Sequence, residues 1–123
     1  MHDYDLQREK AEARLKRKQA RLDEWRERYR KITLEELPEI AETKSWSVQE
    51  GHCFQRILLD YVCKGVWYHK LAEPAIMHMS ESQLRKAVYL ASEWITGHRM
   101  LEPYNEQSIK WRQEAKICLF ADE

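Results

Sequence analysis

Residues 5–32 contain no Gly, no Pro and no Val, and nothing else in the chain constrains its fold as strongly. The run is built mostly from Arg, Lys, Glu, Gln, Leu and Ala, all good helix formers. No residue in it favours a turn or a strand, so it reads as one helix of about 40 Å. Its large apolar residues are Leu15, Leu22, Trp25, Tyr29 and Ile32. With Leu15, Leu22 and Tyr29 at heptad position a, Tyr4, Ala11, Trp25 and Ile32 fall at d beside Lys18, and Arg8 interrupts the a row. The helix therefore has a single narrow apolar stripe of coiled-coil type.

Breakers are sparse throughout. Three Gly and three Pro in 123 residues leave too few turns for an all-β chain. Apolar residues make up 43% and charged residues 34%, enough of the former to bury a core in a single domain. The net charge is zero but unevenly placed. Residues 1–31 hold eleven Lys/Arg against seven Asp/Glu, and residues 32–50 hold one Lys against five Glu, while the remainder balances. Cys53, Cys63 and Cys118 are an odd number of cysteines, and the first ten residues show no apolar signal region, so a reducing cytoplasmic setting is expected. No apolar run is long enough to span a membrane.

Beyond the first helix, Thr33, Leu34, Glu35 and Glu36 read as a capping box opening a short acidic helix with Pro38 near its start. Ser47 to Glu50 reads as a second such box. Cys53, Phe54, Ile57, Leu58, Tyr61 and Val62 share one helical face, with Gly65 as the stop. Residues 66–79 are an apolar connection interrupted by Pro74. Ser80 with Gln83 starts a further helix, with Leu84, Ala87, Val88, Ala91, Trp94 and Ile95 inward and Gly97 at its end. Pro103 and Tyr104 make a turn, and Asn105 caps a last helix. The expectation is an all-α fold in three parts: a basic helical arm at 1–32, an acidic short helix and connection at 33–50, and a compact helical body of three main helices at 51–123.

Catalytic chemistry has little to stand on. His52, Cys53, Cys63, His69, His78 and Cys118 are possible metal ligands, yet none are spaced as zinc sites are. Adjacent His52 and Cys53 diverge by about 100° around a helix, which does not suit a nucleophile and its base. The glycines form no phosphate loop. No enzyme, metal or cofactor is expected.

What the residues offer instead is a binding surface. Residues 14–21, RLKRKQAR, place five cations in eight positions. A symmetric coiled coil is disfavoured because Arg14, Arg21 and Arg28 form an all-basic g row, and Arg21 would meet Arg26 of the partner helix. Contact with another protein ranks first: Arg14, Arg17, Arg21 and Arg28 would supply charge complementarity, and Trp46 or Trp111, each flanked by polar residues, would be an exposed anchor. The stripe packing on the chain's own body ranks next, with Glu35, Glu36, Glu39 and Glu42 as internal counterpart of the cations. Nucleic-acid binding ranks third, through Lys16, Lys18, Arg30 and Lys31 with the arginines, because the interspersed acids weaken the field. Small helical proteins of this lopsided charge include phage and mobile-element inhibitors such as anti-CRISPRs, and a regulator or inhibitor of that type is compatible.

Residues 80–94, SESQLRKAVYLASEW, carry Ser80, Gln83, Leu84, Arg85, Ala87, Leu90 and Trp94. In these positions the stretch resembles the signature of the FinO/ProQ RNA-chaperone family, Ser-x-x-Gln-Leu-Arg-x-Ala followed by Trp. Residues 57–62 are a looser match to that family's preceding helix, and its Pro-Leu-x-x-Gly-Ile segment is absent here. The resemblance implies binding of structured RNA, with Arg85 and Lys86 among the contacts and the basic helix as a handle.

Overall fold

A computed structural model describes residues 3–121, with side chains through residue 116. The described residues are helical with no strand, as the scarcity of breakers requires. Helix α1 spans Asp3–Lys31, α2 Leu37–Lys44, α3 Gly51–Cys63, α4 Ala75–His78, α5 Glu81–Thr96 and α6 Glu102–Ala121. The core forms where the end of α1, α2, α3 and α5 meet. Leu37, Phe54, Leu58 and Leu84 are fully buried there, with Tyr29, Ile57 and Trp94 nearly so.

The long helix does not stop at Thr33. A π-helical turn at Ile32–Glu36 carries it straight into α2, with the Leu37 N–H donating to the Ile32 carbonyl, five residues back. The expected capping box fails because Thr33 is fully buried within the helix, where its hydroxyl donates to the Tyr29 carbonyl at 2.7 Å. The wider turn precedes Pro38, which has no N–H to donate. Gly51 at the start of α3 lies against this bulge. A Cβ there would sit 3.2 Å from the Thr33 carbonyl and 2.7 Å from Leu34 Cδ2.

Three other expected punctuation marks move. Ser47 caps nothing: its N–H and hydroxyl both donate to the Glu102 carboxylate, at 2.9 and 2.6 Å, and α3 starts after Glu50 without a side-chain cap. Lys64, not Gly65, takes the left-handed conformation that ends α3. Asn105 lies buried inside α6, which begins at Glu102. The Ser80–Gln83 capping box is present in full, and Gly97 ends α5 at φ 84°. All the expected inward residues of α5 are buried except Ile95, which is half-buried, and Leu90 joins them.

A buried polar cluster fastens α6 to α3. Asp60 is fully buried and accepts from Ser108 Oγ at 2.6 Å, Arg112 Nε at 2.9 Å, Arg112 Nη2 at 3.3 Å and the Trp67 N–H at 3.0 Å. Arg56 donates to Ser108 Oγ at 2.8 Å and to Asn105 Oδ1 at 2.7 Å, and Asn105 donates to Ser47 Oγ at 3.2 Å. The guanidinium of Arg112 also lies over the Tyr68 ring.

The Tyr29 hydroxyl has no hydrogen-bond partner and is buried, which pushes its ionisation far up. An orphaned buried hydroxyl is a net cost. Tyr29→Phe is therefore expected to raise stability by about 1 kcal/mol, seen as a melting temperature a few degrees higher. A lower melting temperature would contradict this.

Candidate functional site

Helix α1 does two jobs along its length. From Leu22 onward its apolar stripe packs on the body: Leu22, Trp25, Tyr29 and Ile32 all join the core or its edge. Arg26, which the heptad placed toward a partner helix, is itself buried and donates to the carbonyls of Ile76 and Met77 in α4, at 3.2 and 3.4 Å. Residues 3–21 are exposed apart from the small Ala11 and Ala13, so this stretch stands off the body as an arm. Tyr4 and Leu15 are 73% and 67% exposed on it.

The charges of this helix sort by face. At 100° per residue, Lys10, Arg14, Arg17, Lys18, Arg21 and Arg28 fall within about 100° of arc, with Trp25 among them. Asp5, Glu9, Glu12, Asp23 and Glu27 fall within about 60° on the opposite side. There the acids meet their own cations: Arg8 pairs with Glu12, Arg26 with Asp23 and Arg30 with Glu27. Asp3, in the first turn of the helix, falls on the basic face itself, and Glu24 borders it, paired with Arg28 at 2.8 Å.

The basic face continues onto α5. Arg28 and Arg85 both lie over the Trp25 ring, at 4.7 and 5.5 Å from its centroid, and Tyr89 meets Trp25 edge-on at 6.1 Å. Arg21 reaches Glu81 at the start of α5, 3.7 Å away. Lys86 lines a shallow hollow of about 140 Å³ with Tyr61, Tyr89 and Arg99. The Arg99 guanidinium hydrogen-bonds to Tyr104 and pairs with Glu93. Two sets of cations from distant parts of the sequence thus form one surface, centred on Trp25 and the 58%-exposed Tyr89. Arg14, Arg17 and Lys18 have no acidic partner among the described residues.

Other expected site residues lie elsewhere. Lys16 and Arg30 sit on the acidic side of α1, and Lys31 is off the basic face. Trp46 is not a free anchor: it is half-buried, edge-on to Phe54 at 5.8 Å. Trp111 is half-buried on α6 and takes no part in the contacts of this surface described above. The acids Glu35, Glu36, Glu39 and Glu42 pair with none of the arm's cations among the described residues, because the continuous helix carries them to the far end from the arm. The Arg28–Trp25–Arg85 stack escaped the sequence reading. Its signal was present in Trp25 itself, the aromatic whose heptad slot borders the arginine row.

Groups with nucleophilic or ligating character are unremarkable by comparison. Burial pushes the Cys63 thiol up, against the pull of Lys70. Glu50, His52 and Cys53 bring ligand atoms within 4.8 Å of one another at the start of α3, with His52 already paired to Glu50 at 3.2 Å. Cys118 lies beyond the side chains described. Among the described residues no helix is long and apolar enough to cross a membrane.

No family model, curated protein or solved structure matches the chain. The likeness of residues 80–94 to the FinO/ProQ signature rests on those residues alone.

Proposed function

We propose that the chain is a non-enzymatic regulator that docks its arm and α5 on a nucleic acid. The observation that carries this is the single basic face shared by α1 and α5. Along the sequence, acids interrupt the cations, which sets nucleic acid behind protein contact. Of those acids, Glu9, Glu12, Asp23 and Glu27 occupy the opposite side of α1, where most are paired, and Glu24, which borders the basic face, is paired with Arg28. From Lys10 to Arg28 the basic face runs about 27 Å, a length suited to tracking several successive phosphates. Trp25 and Tyr89 at its inner end add aromatic surface beside Arg85 and Lys86, the combination on which bases stack. The likeness of residues 80–94 makes a structured RNA the first substrate to try.

The test is affinity for a structured RNA and for a duplex DNA against salt. Lys10, Arg14, Arg17, Lys18, Arg85 and Lys86 give six cations free to meet phosphate. The expected slope of log K against log salt is then about −4 to −5, a loss of about 10³ in affinity between 50 and 200 mM salt. A flat salt response would overturn the reading and return protein contact to first place.

A further inference from the structure

A groove opens at the opposite end of the long helix from the arm. It lies between the π-turn with α2 and the last turns of α5, has a volume of about 540 Å³, and is floored by Ile32, Ile40 and Ile95. Glu36 and Glu39 stand exposed on its rim, with Glu35 and Glu42 close by in sequence on the same helix. An apolar floor with an acidic rim calls for an occupant with an apolar side chain flanked by cations.

The arm has that pattern. Leu15 is exposed with Arg14 before it and Lys18 after it, and Ala11 on the same side leaves room for close approach. Arg14 and Lys18 are four apart and Glu36 and Glu39 three apart, so both pairs have Cβ atoms about 5–6 Å apart on their helices. We propose that the groove receives the arm of a second copy of this chain, so that copies associate head to tail. Charge argues for this occupant. Residues 1–31 carry a surplus of four positive charges and residues 32–50 a surplus of four negative ones. A symmetric pairing of arms sets arginine against arginine, whereas head-to-tail contact sets the basic end against the acidic end. Such a contact joins different patches and grows into rings or short filaments rather than stopping at a symmetric dimer. Because Arg14 and Lys18 serve this contact and the nucleic-acid face alike, an arm seated in a groove is not available to phosphate.

The test is sedimentation equilibrium of the nuclease-treated full chain over a range of concentrations. The wild type is expected to rise from 14.9 kDa toward multiples of that mass, more steeply at low salt. Arg14→Glu with Lys18→Glu should hold it at the monomer mass, as should Glu36→Lys with Glu39→Lys. Combining all four changes restores opposite charges across the contact and should restore association. Leu15→Gln should weaken association, and at concentrations low enough for the wild type to be a monomer it should leave nucleic-acid affinity and its salt slope unchanged. All these positions are exposed, so helix content by circular dichroism should match the wild type in every variant. A wild type that remains a monomer at every concentration, or a four-fold variant that stays monomeric while both pairs of changes abolish association, would overturn the proposal. A monomeric wild type with a steep salt slope would sink this inference alone. A self-associating wild type with a flat slope would sink the nucleic-acid reading alone.

Discussion

Asp60→Ala should lower the stability of the fold by about 3 kcal/mol and its melting temperature by roughly 10–20 °C. The carboxylate is fully buried and satisfies the Ser108 hydroxyl, the Arg112 guanidinium and the Trp67 N–H at once. Removing it leaves all three donors short, and each buried donor without a partner costs about 1–3 kcal/mol. Arg112 is about a quarter exposed and can turn toward water, which keeps the loss below that of a fully enclosed ion pair. The damage should be local before it is global. Helix α6 packs chiefly on α3, and the cluster is its main polar fastening. Hydrogen exchange should therefore show α6 losing protection first, while α5 keeps its own. Asp60→Asn keeps one acceptor oxygen but loses the charge facing Arg112, and should fall between Ala and wild type. Equal melting temperatures for Asp60→Ala and wild type would show that the cluster contributes no stability.

Arg14→Glu, Arg17→Glu and Lys18→Glu together should weaken nucleic-acid binding by at least about 10³ at 50 mM salt. Three phosphate contacts are lost and three repulsive charges introduced within one turn and a half of helix. The salt slope should flatten by about 2 to 3 at the same time, since each lost contact removes one released counterion. The three residues are exposed and unpaired among the described residues, so the melting temperature should move little. Unchanged affinity in the triple variant would remove the arm from the interface, whatever the slope of the wild type.

The candidate surface was only half legible in the chain. Helix α5 announced itself through Ser80, Gln83 and Gly97, because capping chemistry is local and its partners lie within four residues. The cations of residues 14–21 were equally plain. Their meaning was not, since a linear count of acids and bases misses the angle at which each leaves the helix. The Arg28–Trp25–Arg85 stack joins residues some sixty positions apart, and only the packing of α1 on α5 sets that contact. Trp46 misled for a similar reason: polar neighbours in sequence did not stop its ring from covering Phe54.

The sequence by itself determined what depends on neighbours along the chain. The scarcity of breakers made the described residues all-α, apolar periodicity chose the inward face of α5 and most of that of α3, where Tyr61 is instead exposed and Leu59 and Cys63 are buried, and the uneven placement of charge made one end basic and the next segment acidic. Tertiary structure decided what depends on burial. At Thr33 a capping signature was overruled because burying Thr33, Leu37 and Ala41 in one continuous helix satisfies more of the chain than a cap would. Asn105 was drawn from its local role into the polar cluster around Arg56 and Asp60, because buried polar groups must find partners wherever the fold brings them, and the exposed Ser47 was drawn to the Glu102 carboxylate that the fold sets beside it. The free arm is likewise a tertiary outcome: the same heptad stripe is covered from Leu22 onward and bare at Leu15, because the body beneath it ends there.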